Sequence, residues 1–223
     1  MAQGRISLVC FDIGGVLVRH CRTWAEGCRA AGLPRHTIAE TPEKQDARRA
    51  ASRLHVTGAI DHAEFCDRVS VLLDGLYSPA DVARVHHAWL GPEYEGVGAV
   101  VARLVKAARA DTAILSNTND AHWARFEPAN GPSREYPTIG LIRRRLASHL
   151  MRLAKPSPEI FPAFERAVAH NGHPSSILFL DDLPENIVAA AARGWTAEQI
   201  DHTKETAPQV ERVLARHGLI HAA

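Results

Sequence analysis

Three short apolar segments constrain this chain more than any other feature. Ile6 to Phe11 (Ile-Ser-Leu-Val-Cys-Phe), Thr112 to Leu115 and Ser176 to Leu180 (Ser-Ile-Leu-Phe-Leu) are nearly continuous in apolar character, with no strict alternation. Continuity of this kind suits strands covered on both faces, as in a parallel sheet. Each segment runs straight into polar residues: Asp12 after the first, Ser116-Asn117-Thr118 after the second, Asp181-Asp182 after the third. Helical patterns separate them. Val97 to Ala108 is amphipathic, Ser157-Pro158-Glu159 opens a helix expected to reach about His170, Pro184 to Ala192 reads as helix, and a last helix lies near Ala207 to His217. Weaker strands are expected around Ala147 to Leu150 and Trp195 to Ile200. Alternating strand and helix predicts an α/β fold, a doubly wound, Rossmann-like parallel sheet. Sites in such sheets form outside the carboxyl ends of the strands. Asp12, Ser116, Asn117, Asp181 and Asp182 are therefore expected to converge.

The stretch from Arg19 to Leu90 breaks this rhythm. Thr37-x-x-Glu40 and Asp61-x-x-Glu64 have the spacing of capping boxes, and Ser78-Pro79 places a cap before a proline at the first helical position. Phe65, Val69 and Leu72 recur at helical spacing, as do Val82, Val85 and Trp89. Four or so short helices with no strand among them are expected, forming an α-helical cap inserted after the first strand. The chain then divides into a core domain of residues 1–18 and 91–223 and a cap domain of residues 19–90. Its 223 residues, 46% hydrophobic and 23% charged, are ordinary globular material. A chain of this size can bury roughly 70% of its unfolded surface in one core.

Charge and cysteine content serve mainly to exclude. Lys plus Arg number 26 against 25 Asp plus Glu, a net charge of +1, which argues against a nucleic-acid partner, since phosphate neutralisation wants a basic excess. There is no polybasic patch for a membrane surface and no apolar run near the ~18 residues of a membrane span. Cys10, Cys21, Cys28 and Cys66 form no CxxC pair, so neither a zinc ribbon nor a dithiol site is expected. The opening Met-Ala-Gln-Gly-Arg lacks the apolar core of a signal peptide, and a cytoplasmic location is the default expectation. The 13 histidines are scattered and read mainly as surface or helix-face residues. Monomer and homodimer are both compatible with this composition.

The polar residues at the strand ends have a shared chemistry. A carboxylate on the Asp12-Ile-Gly-Gly turn sits among backbone N–H groups free to bind an anion, and it can attack an electrophile to form a covalent intermediate. Asp181 and Asp182 add two more carboxylates, and such a trio calls for a cation, with hard oxygen ligands suiting Mg²⁺. Ser116 and Asn117 supply a hydroxyl and an amide, and Lys155 a positive charge. These are the requirements of phosphoryl transfer. Singly, each has an ordinary reading as a turn, loop or cap residue. In order, at the ends of strands, they form a set.

That set resembles the motifs of the haloacid dehalogenase-like (HAD) hydrolase superfamily, over essentially the whole chain. The first motif is Phe11-Asp12-Ile13-Gly14-Gly15-Val16-Leu17-Val18, the second Leu115-Ser116-Asn117-Thr118-Asn119, the third Lys155 within Leu153 to Phe161, and the fourth Phe179 to Asn186. The Ser-Asn-Thr-Asn segment followed by His122-Trp123, with Ser148-His149 ahead of the lysine, is most similar to the sugar-phosphate phosphatases related to bacterial glucose-1-phosphatase. The resemblance implies a Mg²⁺-dependent phosphatase acting on a small phosphorylated metabolite. Asp12 would be the nucleophile, forming an aspartyl-phosphate, and Lys155 would neutralise charge on it. Ser116 and Asn117, with Gly14 and Gly15, would bind the phosphoryl group. Asp12, the Gly14 carbonyl and Asp182 would hold Mg²⁺, Asp181 would hold it directly or support the ligands, and Asn186 would orient the loop.

One position departs from the pattern. Phosphatases of this superfamily carry an Asp two residues after the nucleophile, which protonates the leaving group and then activates water. Here that residue is Gly14. Acid–base assistance is worth about 10²–10⁴-fold. Three explanations follow: a substitute acid such as His20 from the cap, a reaction other than phosphate ester hydrolysis, or a non-catalytic binding protein. A Schiff-base route to phosphonate cleavage needs a cap lysine, and Lys44, the one lysine of the cap, lies in a polar run that reads as a solvated helix face. Among cap residues, Arg19, His20, Trp24, His55, His86 and His87 are candidates for substrate contact. Trp89, Trp123 and Trp195 read as structural.

Overall fold

The structure, a computed structural model, describes residues 5–221; the amino-terminal reading falls almost wholly outside it. Strand β1 (Leu8–Phe11) is followed by β2 (Val18–His20), and then by helices α1 (Trp24–Ala30), α2 (Pro42–Val56), α3 (His62–Leu72) and α4 (Pro79–Ala88). The chain returns through β3 (Leu90–Glu93), α5 (Val97–Ala107), β4 (Asp111–Ser116), α6 (Asp120–Phe126), α7 (Pro137–Leu141), β5 (Arg144–Ala147) and α8 (Ser148–Met151). It ends with α9 (Ile160–Ala167), β6 (Ile177–Asp181), α10 (Pro184–Arg193), β7 (Thr196–Gln199) and α11 (Ala207–Arg216).

Five strands form one sheet in the order β5-β4-β1-β6-β7, every neighbouring pair parallel. The order steps outward from β1 in both directions, so the predicted doubly wound sheet is present, and β1 lies at its centre. Because successive side chains on a strand point to opposite faces, Val9 and Phe11 join Val100, Val101, Leu104, Val210 and Leu214 of α5 and α11 on one side. Leu8 and Cys10 join Ile160, Phe161 and Phe164 of α9 and Trp195 on the other. Both faces are buried, which is why the strands read as continuous apolar runs. The reading of Trp195 as structural is borne out.

The helical insertion has a core of its own, in which Trp24, Cys28, Phe65, Val69, Val82 and Val85 pack together. Asp61 caps α3, and Ser78 forms a capping box with Asp81 on α4. Thr37-x-x-Glu40 does not cap: it is a single 3₁₀ turn, and the Glu40 carboxylate is taken by Arg35. As expected, no strand among the described residues lies between the four helices, but the ends of the insertion are framed by two short strands that the sequence did not announce. β2 and β3 pair as a two-stranded antiparallel ribbon, with His20 opposite Leu90, and the chain enters and leaves the insertion through it. The strand expected at Ala147 to Leu150 lies earlier, at Arg144–Ala147, and Ser148 already begins α8. Helix α9 stops at Ala167, short of the expected His170, because Ala169 turns left-handed (φ +50°). All four cysteines are free, and no helix among the described residues is long and apolar enough to cross a membrane.

Candidate active site

The parallel sheet brings Asp12, Ser116, Lys155 and Asp181 to one edge. Asp12 continues β1 by donating its backbone N–H to Leu180 O at 2.9 Å, so its carboxylate stands beside those that end β6. Lys155 reaches this edge from the loop before α9. Its ammonium donates to Leu115 O at 2.8 Å and to Asp181 Oδ2 at 2.6 Å, and lies 3.1 Å from Asp12 Oδ1. Burial opposes the charge on Lys155, but Asp12 and Asp181 more than offset it and raise its pKa. Burial pushes Asp12 up to about 7 against the pull of Lys155, with Asp181, Asp182 and a hydrogen bond from Ser116 as smaller influences. The nucleophile candidate is thus a desolvated carboxyl group with one cation beside it.

Asp181 is satisfied by the protein. Besides Lys155 it accepts from Leu183 N–H at 2.9 Å and from Asn186 Nδ2 at 3.0 and 3.1 Å. This corrects the ordinary reading of the two aspartates as a cap for α10, whose cap position is Leu183 with no side-chain bond. Asn186 does brace the loop, while its own Oδ1 is buried without a partner. The Asn117 side chain is likewise committed: Nδ2 donates to Lys155 O at 2.7 Å and Oδ1 accepts from Lys155 N–H at 2.9 Å. Asn117 therefore fixes the lysine, and any contact it makes to a phosphoryl group must come from its backbone N–H. Ser148, on α8, accepts from Thr118 N–H at 3.0 Å and contacts Val56 O of α2 at 2.5 Å, joining the Ser116 loop to the insertion.

Gly14 and Gly15 have different reasons to be glycine. Gly15 adopts φ +76°, and a Cβ there would meet both Arg22 Nη2 and Asp182 Cγ at 2.5 Å. Glycine leaves room for an ion pair in which Arg22 Nη2 lies 2.6 Å from Asp182 Oδ2. Asp182 is raised by burial, against the pull of Arg22. A Cβ on Gly14 would instead meet the imidazole of His20, at 3.2 Å from Nε2, 3.3 Å from Cδ2 and 3.4 Å from Cε1. The His20 ring therefore packs closely over Gly14. Its Nδ1 is buried without a partner, and burial, followed by Arg22, pulls its pKa down to about 3.

A cavity of about 620 Å³ opens from this edge into the helical insertion. Asp12, Gly14, Ser116, Asn117, Lys155 and Asp182 line its floor. His20, Trp24, His55 and His86 line the cap side, as expected, whereas Arg19 and His87 do not. Arg19 pairs with Glu205 and lies over Tyr94, and His87 is exposed. Lys44 bonds Leu72 O at 2.6 Å and Asp74 at 2.9 Å, outside the cavity, which removes it as a Schiff-base lysine.

The histidines are less scattered than the sequence implies. His55, His62 and His86, one from each of α2, α3 and α4, bring ring nitrogens within 4.8 Å of one another. His86 stacks on His122 of α6 at 3.9 Å. Several of their nitrogens are engaged within the protein: Asn119 Nδ2 lies 3.2 Å from His86 Nε2 and 3.4 Å from His122 Nδ1, and His122 Nε2 donates to His86 O at 2.8 Å. His55 Nε2 lies 2.9 Å from Asp120 Oδ1, and Asp120 Oδ2 accepts from the backbone N–H of His62 at 3.2 Å. This cluster seams the insertion to the core. No periodicity could have announced it, because its members come from four separate helices.

No protein-family model matches the chain, and no curated protein matches it. Solved structures do. A HAD family enzyme, bt-2542 from Bacteroides thetaiotaomicron, in its magnesium complex, superposes with TM-score 0.73 at 23% identity over 92% of this chain and 98% of that one. The same enzyme with magnesium and inorganic phosphate gives 0.71 at 22% identity over the same shares. A HAD-like family hydrolase from Porphyromonas gingivalis gives 0.73 at 21% identity, covering 95% and 98%. L-2-haloacid dehalogenase from Xanthobacter autotrophicus, with chloropropionic acid covalently bound, gives 0.59 at 18% identity, covering 93% and 82%. The α/β sheet, the helical insertion after its first strand and the carboxylates at the strand ends together make this chain a protein of the haloacid dehalogenase-like fold.

Proposed function

We propose that this protein is a Mg²⁺-dependent phosphohydrolase that removes phosphate from a small phosphorylated metabolite, such as a sugar phosphate, through an aspartyl-phosphate on Asp12. The observation that carries the reading is the buried array of Asp12, Lys155 and Asp181 at the floor of a cavity that also presents the Ser116 hydroxyl. It is supported by the relative from Bacteroides thetaiotaomicron, whose structures hold magnesium and inorganic phosphate. Residues 19–90 act as a cap over a core of residues 1–18 and 91–223.

The donor set fits a hard divalent cation. Carboxylate oxygens of Asp12, Asp181 and Asp182 lie within 4.8 Å of one another, all three side chains are buried, and Lys155 neutralises only part of their charge. Asp12, Asp182 and the Gly14 carbonyl would hold Mg²⁺, with Asp181 braced behind them by Lys155 and Asn186. Bound there, the ion would neutralise phosphoryl oxygens and hold Asp12 ionised. Asp12 attacks phosphorus and displaces the ester oxygen, which leaves as an alcohol on taking a proton. Water then attacks the aspartyl-phosphate, gives up a proton, and releases inorganic phosphate and the Asp12 carboxylate. Lys155 and Ser116 stabilise charge in both steps. His20, whose ring lies 3.2–3.4 Å from where a Cβ at position 14 would stand, takes the role of the missing carboxylate: as imidazolium it gives the first proton, and the neutral ring left behind takes the second. A dianionic phosphoryl group beside the ring counters the burial that depresses its basicity.

The test is a hydrolysis screen over sugar phosphates, nucleotides and 2-haloacids, with and without Mg²⁺, comparing the wild type with Asp12→Asn. Mg²⁺-dependent release of phosphate that disappears in Asp12→Asn is expected. Activity surviving that substitution overturns the nucleophile, and halide release without phosphate release overturns the substrate class. A ligand-induced thermal shift with no turnover of any ester overturns catalysis in favour of a binding protein.

A further inference from the structure

The cap side of the cavity contains a cation for which the protein supplies no acid of its own. Helix α2 turns Gln45, Arg48, Ser52 and His55 toward the cavity, at the spacing of one helical face. Arg48 is half-buried. Its guanidinium lies 5.1 Å over the Trp24 ring, and its Nη1 donates to the Ala39 carbonyl. No carboxylate comes within ion-pair distance of it among the described residues. The nearby acids are engaged elsewhere: Arg35 holds Glu40 through Nε at 2.7 Å and through Nη2, and Asp46 lies 3.1 Å from Arg49. Burial lowers the pKa of Arg48, against the pull of Cys28 and of Glu40, which lines the same cavity but is held by Arg35.

A guanidinium carries five N–H donors in a rigid fork that matches a carboxylate or phosphate. A fork fixed by a tryptophan face and one carbonyl, lining a cavity whose floor holds Asp12, is preorganised for an anion. We infer that the substrate carries a second anionic group, remote from the phosphate to be cleaved, and that Arg48 binds it. The substrate class is then a phosphorylated acid or a bisphosphate, in preference to a neutral phosphorylated polyol. The inference rests on the reading that the cleaved phosphate sits at Asp12. Trp24, beneath the guanidinium, holds it in place and shields it from water.

Binding is read separately from turnover. Asp12→Asn protein with Mg²⁺ is titrated calorimetrically with glucitol 6-phosphate (neutral tail), 6-phosphogluconate (carboxylate tail) and fructose 1,6-bisphosphate (phosphate tail). The anionic-tailed ligands are expected to bind about 10- to 100-fold more tightly than the neutral one, the range for hydrogen bonds to a charged group. In Arg48→Met that preference should fall to within about threefold, and Arg48→Lys, which keeps charge but not the fork, should fall between. The ranking of the two anionic tails says which anion is preferred. Equal affinity for all three ligands, a preference that survives in both Arg48 variants, or no binding of any of them overturns the inference. A preference that depends on Arg48, in a protein whose Asp12 form hydrolyses none of the three, retains the anion site and overturns the phosphatase reading alone.

Discussion

The space above Gly14 can be tested by moving the proton-transfer group from one residue to another. A Cβ at position 14 would lie 3.2–3.4 Å from three atoms of the His20 ring, so an Asp there crowds the ring, which must give by a few tenths of an ångström. Overpacking of this kind costs about 1–3 kcal/mol. Gly14→Asp alone should therefore lower the melting temperature and give little or no gain in kcat. His20→Ala removes the proposed proton carrier and should lower kcat by about 10²–10⁴-fold, which is roughly 3–5 kcal/mol of barrier. The double variant Gly14→Asp/His20→Ala places a carboxylate in the space the ring has left. It should recover most of the lost rate and most of the stability lost by Gly14→Asp. The assay is steady-state hydrolysis of p-nitrophenyl phosphate in Mg²⁺, paired with thermal unfolding of each variant. Wild-type kcat in His20→Ala would remove His20 from the proton transfers. A double variant no faster than His20→Ala would refute the claim that the ring and the missing carboxylate fill one role.

Other perturbations have equally definite outcomes. Lys155→Met leaves Asp12 and Asp181 buried without their cation and should cost about 3–5 kcal/mol in urea unfolding; adding Asp181→Asn should return part of it. Without metal, the folded state holds the Asp12 proton up to about pH 7 while the unfolded chain releases it near the ordinary 3.8. The folded form then binds more protons, so this group's contribution to stability declines as pH rises from about 4 to 7. His20 and His122, with pKa values pulled down by burial to about 3 and about 4, act in the opposite sense below 6.5. The Asp12 contribution is therefore read as the melting-temperature difference between wild type and Asp12→Asn in EDTA, which should move in favour of the variant across that range. Asp120→Ala removes the acceptor shared by His55 and the His62 N–H, and amide exchange at the start of α3 should accelerate, by about tenfold for a loss near 1.4 kcal/mol.

Much of this arrangement was legible in the sequence because two-sided burial leaves a strong mark. β1, β4 and β6 announce themselves as apolar runs, and the polar residue closing each run is the one the sheet brings to the shared edge. Lys155 is weakly legible: a lysine before a proline has no local signature, and only its charge and the family resemblance point to it. The edge strand β5 was misplaced because Arg144 and Arg145 interrupt any apolar pattern there, and β3 contains Gly91 and Pro92, which read as a turn. The motif points Asn117 at the phosphoryl group, whereas its side-chain amide clasps the Lys155 backbone across 38 residues of chain. The histidine seam and the Arg22–Asp182 pair depend on which helices come to face which, and a one-dimensional pattern cannot carry that.

The two-stranded ribbon of β2 and β3 gives the site a sense of timing. His20 sits on that ribbon, at the root of the insertion, opposite Leu90 on the returning strand. Where the acid–base group belongs to the turn after β1, it is present whether or not a lid is shut. In this chain the turn supplies only glycine, and the imidazole comes with the hinge. A motion of the ribbon would shift the imidazole and leave Asp12, fixed at the end of β1, in place. A molecule with the ribbon displaced would then lack its proton carrier and be chemically idle. Two strands of three and four residues would thus act as an interlock, with competence for hydrolysis set by the position of the ribbon.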